Sequence, residues 1–174
     1  MVMKKEWPSV IASAKRYYKG TLVFTCTWRP LGEAMHPGTS PGLDTYQAVA
    51  LPPNATAAQL LAAWNTAVAT SNKVPFSLSS ATIDELAINA QDGAYYEPWA
   101  WGLPPSDTFD QNVQANWYSM ACSFFKSHNM QGLYIWGIWY ADGANAMPST
   151  PDSALAQEIQ PASAAVIKSC YTGT

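Results

Sequence analysis

The stretch that decides the fold is Ala81-Thr82-Ile83-Asp84-Glu85-Leu86-Ala87-Ile88, a short run of strand-forming residues that carries two carboxylates. Moving an ionised group out of water costs free energy. A carboxylate in an otherwise apolar strand therefore needs a hydrogen-bond or ion-pair partner, or it has a functional role. Glu85 lies near the C-terminal end of the run and is the first candidate for a catalytic residue. Because side chains alternate along a strand, we expect Asp84 to point away from Glu85, toward covering helices, as a structural hydrogen-bonding group.

Upstream of this strand, helical and strand patterns alternate. Apolar residues at helical spacing predict an amphipathic helix over residues 6–19, which Gly20 ends. A β-branched run predicts a strand over residues 21–27, and a second strand is predicted over residues 43–49. Thr56 and Gln59 have the spacing of a capping box, which predicts a helix that runs to about Asn72.

Downstream, residues 89–109 form a long loop rich in aromatic side chains, and a loop of that length in a compact domain is usually functional. A Met and aromatic stripe over residues 113–125 predicts a core helix that begins at Asp107 or Asp110. The apolar run at residues 132–140 is typical of a strand buried on both faces. Pro161 marks the first turn of a last helix over residues 161–171.

Strands that alternate with helices predict an α/β fold with a parallel sheet, whose chemistry lies at the C-terminal ends of the strands. The unusual side chains gather at that edge. Flat amphipathic rings there suit ligands with apolar faces and polar edges, although core packing is the alternative for each tryptophan. The residues expected at this edge are Trp28, Tyr46, Glu85, Trp136 and Trp139, and Trp99 lies in the long loop.

The composition describes one globular domain, with 174 residues, 48% hydrophobic and 12% charged. The net charge of −3 and the lack of a basic stripe argue against nucleic acid as a partner. Two lysines near the N-terminus precede no apolar run, so no signal peptide is expected, and no stretch predicts a membrane span. The compartment therefore stays open between extracellular and cytoplasmic.

The three cysteines, Cys26, Cys122 and Cys170, have no metal-ligand spacing, and their odd number leaves at least one free thiol. We expect buried small side chains, with a Cys122–Cys170 disulfide as the alternative. His36 and His128 are interpreted as surface or capping residues. No metal and no cofactor is expected.

Five stretches together resemble a known family: EWPSVIASAKRYYKGTLVFTCTW (residues 6–28), LDTYQAV (43–49), IDELAI (83–88), GAYYEPW (93–99) and GLYIWGIW (132–139). They look like the C-terminal half of a retaining glycoside hydrolase (β/α)8 barrel, of the family 113 β-mannanase-like group. The resemblance implies a partial TIM barrel in which residues 1–174 form a single half-barrel, roughly strands five to eight with their helices.

The resemblance also assigns roles. It implies that Glu85 is the nucleophile at the end of strand seven and that Tyr46 is the strand-six tyrosine hydrogen-bonded to it. Trp136 or Trp139 would be the strand-eight tryptophan under the sugar, and Trp28 and Trp99 are further candidates for sugar stacking. Ala87 and Ile88 depart from the family, which commonly has Gly and an aromatic residue after the nucleophile.

The function implied is retaining, endo-acting hydrolysis of a β-linked polysaccharide such as mannan. Retaining glycosidases need two carboxyl groups about 5 Å apart. In the family the acid/base glutamate precedes the helix that here begins near Glu6, so the isolated chain is expected to be an incomplete, inactive catalytic domain. Glu97 and Asp142 are loop carboxylates outside that motif.

Two further hypotheses remain open at this point. A homodimer would complete the barrel and bring two copies of Glu85 together, because an open half-barrel exposes strand edges and apolar surface. Alternatively, the chain is a non-catalytic carbohydrate-binding or structural module on the same scaffold.

Overall fold

The computed structural model describes residues 3–27, 38–44, 47–70, 76–98, 107–136 and 158–173, and the side chains among them except those of residues 3–5, 26 and 27. The elements alternate between helix and strand over most of the chain. In order they are α1 (Met3–Tyr17), β1 (Val23–Thr27), β2 (Ser40–Asp44), α2 (Ala57–Thr70), a 3-10 turn (Leu78–Ser80), β3 (Thr82–Leu86), α3 (Gln111–Ser127), β4 (Gly132–Ile135) and α4 (Pro161–Thr172).

The four described strands form one parallel sheet in the order β1-β2-β3-β4. Chain order and spatial order coincide, as they do for consecutive strands in a barrel wall. The predicted α/β fold is therefore confirmed.

The helix starts follow the capping signals of the sequence. Before α2, the Thr56 amide donates to Gln59 Oε1 at 2.8 Å and the Gln59 amide donates to Thr56 Oγ1 at 3.3 Å, which is the predicted capping box. Asp110, one of the two candidates, caps α3 by accepting from the Asn112 amide at 2.8 Å. Pro161 occupies the first turn of α4, where its missing N–H costs nothing.

The core lies between one face of the sheet and helices α2 and α3. Leu43, Ile83 and Leu133 are partners across β2, β3 and β4 and are all buried. They share one hydrophobic cluster with Trp64 of α2 and Trp117 of α3, whose rings meet edge to face at 5.2 Å. Fully burying side chains of this size contributes about 2–3 kcal/mol each, so this cluster fixes the helices on that side of the sheet.

Three contacts attach α4 to the rest of the fold. Cys122 of α3 and Cys170 of α4 form a disulfide with their Cα atoms 5.9 Å apart, so the disulfide alternative is correct and the expectation of plain buried cysteines is wrong for this pair. The Tyr171 hydroxyl donates to the Leu133 carbonyl of β4. Buried Gln114 accepts from the amide of Gln160, the residue that precedes α4, at 2.9 Å.

Two predicted element properties are wrong. Strand β2 is Ser40–Asp44, not residues 43–49, because the chain has left the sheet by Val49, whose amide donates to the Tyr95 carbonyl at 2.9 Å. Strand β4 is not buried on both faces, since Tyr134 is 56% exposed. The predicted amphipathic helix is present as α1. Its Trp7 ring meets Phe24 of β1 edge to face at 5.2 Å, whereas Tyr17 is 88% exposed.

Among the described helices, none is both long and apolar enough to cross a membrane.

Candidate active site

Glu85 stands on an irregularity in β3. Ile83 pairs with Leu133 and Leu86 pairs with Ile135, so three steps along β3 match two steps along β4. The extra residue is a β-bulge, a feature that re-aims side chains and is frequent beside active sites. Glu85 has a φ of 53°, in the left-handed region that residues other than glycine rarely adopt.

The bulge brings both neighbouring carboxylates to the same side of the sheet. Ile83 and Leu86 are fully buried in the helix-packed core, so the two residues between them project from the other side. Asp84 is half-buried and Glu85 is exposed. The prediction that Asp84 points toward the helices is therefore wrong, because the bulge breaks the alternation on which it relied.

We call the side of the sheet opposite the helix-packed core the open face; it carries Val23, Thr25, Gly42, Thr82, Asp84 and Tyr134. Asp84 is fixed there by two hydroxyl groups. Its Oδ2 atom accepts from Thr25 Oγ1 of β1 at 2.7 Å and from Thr82 Oγ1 at 3.1 Å. The prediction that Asp84 is a structural hydrogen-bonding group is thus confirmed, although its partners lie on the other face.

Gly42 makes this arrangement possible. Thr25 lies on β1, Asp84 lies on β3, and β2 runs between them. A Cβ atom at Gly42 would lie 2.1 Å from Asp84 Oδ2 and 2.7 Å from Thr25 Oγ1, far inside van der Waals contact. Only glycine lets the carboxylate of Asp84 cross β2 to reach Thr25.

Asp44 is the third carboxylate of the group. It is the Cα partner of Asp84 across β2 and β3, at the last position of β2. Burial first, and then the negative charges of Glu85 and Asp84, raise the pKa of the Asp44 carboxyl from 3.8 to about 6. Its Oδ1 atom is buried and has no hydrogen-bond partner among the residues that the structure describes. The C-terminal ends of β2 and β3 therefore carry three carboxyl groups, one of which holds its proton in mildly acidic solution.

Trp136 follows β4 at the same end of the sheet. Its amide donates to the Leu86 carbonyl at 3.2 Å, which places its backbone beside the residue that follows Glu85. The side chain is 39% exposed. Of the predicted site residues, the structure thus brings Glu85 and Trp136 to neighbouring strand ends.

The remaining predicted site residues, Trp28, Tyr46, Trp99 and Trp139, lie outside the described residues, as do Asp142 and His36. In the long loop that contains Trp99, the structure places Tyr95 in the core, stacked on Trp117 at 6.0 Å. His128 follows the last residue of α3 as its C-cap, which confirms its interpretation as a capping residue. Within the described ranges, no group of three or more His, Cys, Asp or Glu side chains has an arrangement that could hold a metal ion.

Sequence reasoning missed two members of the site, Thr25 and Asp44. A signal for Asp44 was present, since it is a lone carboxylate in an apolar segment just before Tyr46. Thr25 carried no signal, because threonine in a strand is ordinary and its role arises only from the carboxylate that reaches across Gly42.

The sequence matches no protein-family model, and no curated protein matches it either. Solved structures do match. The chain is similar to a GH113 β-1,4-mannanase, with a TM-score of 0.64 and 16% sequence identity over 98% of this chain and 52% of the mannanase chain. A second GH113 β-1,4-mannanase structure gives a TM-score of 0.63 and 15% identity, over 98% of this chain and 51% of that one.

These similarities concern the fold. The chain has the architecture of about half of a GH113 barrel and spans about half the length of the mannanase chains it matches. The predicted partial (β/α)8 barrel is therefore confirmed, and the acidic end of β2 and β3 corresponds to the end of such a barrel where enzymes of this fold place their chemistry.

Proposed function

We propose that this chain contributes the nucleophile side of a retaining glycoside hydrolase that acts within β-linked polysaccharides such as β-1,4-mannan. The observation that carries the proposal is Glu85: an exposed carboxylate on a bulge at the C-terminal end of a strand, in a fold shared with half of a GH113 mannanase. Catalytic side chains of (β/α)8 enzymes project from this end of the strands.

In the proposed reaction, the Glu85 carboxylate attacks the anomeric carbon of the sugar while the glycosidic C–O bond breaks. A carboxylic acid donates its proton to the departing oxygen. Water then attacks the same carbon, gives its proton to that group, and releases Glu85 as a free carboxylate. Trp136, exposed beside the strand end, offers an aromatic surface on which a sugar ring would stack.

The second carboxyl group of this reaction needs a source. We propose that two copies of the chain close one barrel, because each copy supplies a four-stranded parallel sheet and spans about half of the mannanase barrel. Closure would cover the exposed side chains of Val23 and Tyr134 on the open face. It would also place a second set of Asp44, Asp84 and Glu85 in the same barrel.

The proposal is tested by incubating the purified chain with β-1,4-mannan and measuring new reducing ends. Hydrolysis that is lost in Glu85→Gln and kept in the matched surface variant Glu6→Gln supports the proposal. Covalent trapping with an activated 2-deoxy-2-fluoro-mannoside, followed by peptide mass spectrometry, should place the adduct on Glu85. Binding of mannan with no hydrolysis under any condition would instead favour the non-catalytic carbohydrate-binding module.

A further inference from the structure

We propose that Asp84 is the positioning residue of Glu85. Held by the Thr82 hydroxyl on its own strand and, across Gly42, by the Thr25 hydroxyl, it fixes the left-handed turn that directs Glu85 onto the open face. The inference rests on the proposed function for its consequence in catalysis. Its structural part, the control of the Glu85 backbone by Asp84, is independent of any activity.

The need for a positioning residue follows from the backbone. A non-glycine residue with φ of 53° is in a sparsely populated conformation, which persists only where the surroundings hold it. Without the turn, β3 would alternate regularly, and Glu85 would share the helix-facing side with Ile83. A carboxylate directed into that apolar cluster would be useless for attack on a substrate and costly to bury.

The anchors lie on both sides of the turn. On the C-terminal side, Leu86 is fully buried and its carbonyl accepts from the Trp136 amide at 3.2 Å. On the N-terminal side, Asp84 accepts from Thr25 at 2.7 Å and from Thr82 at 3.1 Å. Glu85 is the residue between these two anchors, so its direction is set by both.

The space between Asp84 on β3 and Thr25 on β1, over Gly42 of β2, fits the short carboxylate side chain of an aspartate. Its Oδ2 atom occupies the space above Gly42 where any other residue would place a Cβ atom. The Thr25 hydroxyl lies on β1, two strands away from β3, so the contact ties three strands together and transmits the position of β1 to the candidate nucleophile. A loose Glu85 would spend less time in the attacking geometry, and misplacement by about 1 Å can reduce rates about a hundredfold.

The experiment compares Asp84→Ala with two substitutions at Thr25. Thr25→Val removes the hydroxyl while keeping the shape, and Thr25→Ser keeps the hydroxyl. Thr66→Val, on the exposed side of α2, is the matched control for the loss of a threonine hydroxyl. Two readouts are used on each folded protein: the NMR backbone shifts and HN–Hα coupling of Glu85, and kcat and KM on β-1,4-mannan.

We expect Asp84→Ala and Thr25→Val to move the Glu85 resonances away from the left-handed region and to lower kcat by about tenfold to a hundredfold with KM nearly unchanged. Thr25→Ser should restore both readouts, and Thr66→Val should change neither. Unchanged Glu85 resonances in both Asp84→Ala and Thr25→Val would overturn the positioning role, whatever the activity. If the resonances move as expected but the native chain hydrolyses nothing, the positioning role stands and the proposed function fails.

Discussion

At the scale of single residues, the left-handed backbone of Glu85 lowers the stability of the fold and directs the Glu85 side chain onto the open face. An L-amino acid in the left-handed backbone conformation destabilises the fold by roughly 1–2 kcal/mol, whereas glycine adopts this conformation without that cost. At an ordinary strand or helix position alanine is the more stable of the two by about 0.5–1 kcal/mol, because glycine loses more backbone entropy on folding. We therefore expect Glu85→Gly to be more stable than Glu85→Ala by about 1 kcal/mol in urea unfolding.

The control for this comparison is Ala62→Gly on the exposed side of α2, which should lower the free energy of unfolding by about 1 kcal/mol. If Glu85→Ala were instead the more stable of the two variants at residue 85, the backbone there would have an ordinary conformation in solution.

Asp44 makes the stability of the protein depend on pH. Its pKa is raised from 3.8 to about 6, so the folded state disfavours the ionised form. The folded state is therefore stabilised relative to the unfolded state when Asp44 is protonated. This contribution to the free energy of unfolding is fully present below pH 3.8 and is lost as the pH rises through about 6. We expect Asp44→Asn, which cannot ionise, to raise the free energy of unfolding at pH 8 by about 1 kcal/mol, a value reduced for solvent screening because the group is half-exposed.

The measurement is urea unfolding of Asp44→Asn and the native chain at pH 4 and pH 8. The gain at pH 8 should shrink to little or nothing at pH 4, where the native carboxyl is protonated as well. An equal gain at both pH values would mean that the amide stabilises through its hydrogen bonds and not through the lost charge.

At the scale of elements, the disulfide decides how firmly α4 is held. Cys122 and Cys170 are 48 residues apart in sequence, and closing a loop of that length stabilises a fold by about 4 kcal/mol in the chain-entropy account. We expect the double variant Cys122→Ser and Cys170→Ser to unfold at a lower urea concentration, with a loss of about 3 kcal/mol. Addition of a reductant should shift the native chain to the same midpoint and leave the double variant unchanged.

The elements themselves were largely readable from the sequence. The capping box at Thr56, the Asp110 cap and Pro161 located the starts of three helices, because these signals depend only on neighbouring residues. The bulge at Glu85 was not readable, since it depends on how β3 pairs with β4 and on a glycine forty-three positions upstream. The error at β2 has a similar cause: residues 43–49 have strand propensity, but pairing to β1 and β3 selects Ser40–Asp44.

At the scale of the whole molecule, the open face is the surface through which the proposed pair of chains would associate. A cavity of about 480 Å³ lies on this face, lined in part by Val23, Thr82 and Tyr134, and a barrel partner would fill it. In a closed pair, the carboxyl groups of Asp44, Asp84 and Glu85 from both copies would repel one another. Because the pKa of Asp44 is about 6, protonation in mild acid reduces that repulsion.

We therefore expect light scattering to find more dimer at pH 5 than at pH 8 at the same protein concentration, and Asp44→Asn to remove most of this difference. A monomer at both pH values, at concentrations up to the millimolar range, would contradict closure of the barrel by a second copy. The alternating pattern of the sequence predicted the parallel α/β sheet, and the family resemblance implied the partial barrel. The repulsion between the carboxyl groups could not be predicted, because it required knowing that Asp44 and Asp84 are paired on neighbouring strands.

The bond between α3 and α4 also governs what a protease can do to this molecule. Cleavage of the backbone at any point between Cys122 and Cys170 would leave both products covalently joined through these two residues. The Tyr171 contact with β4 and the Gln114 contact with Gln160 would then be intramolecular, so they would not weaken when the protein is diluted. A nicked protein would run as a single species on a gel until a thiol reagent separated it, and it could keep its last helix in place while its chain was no longer continuous.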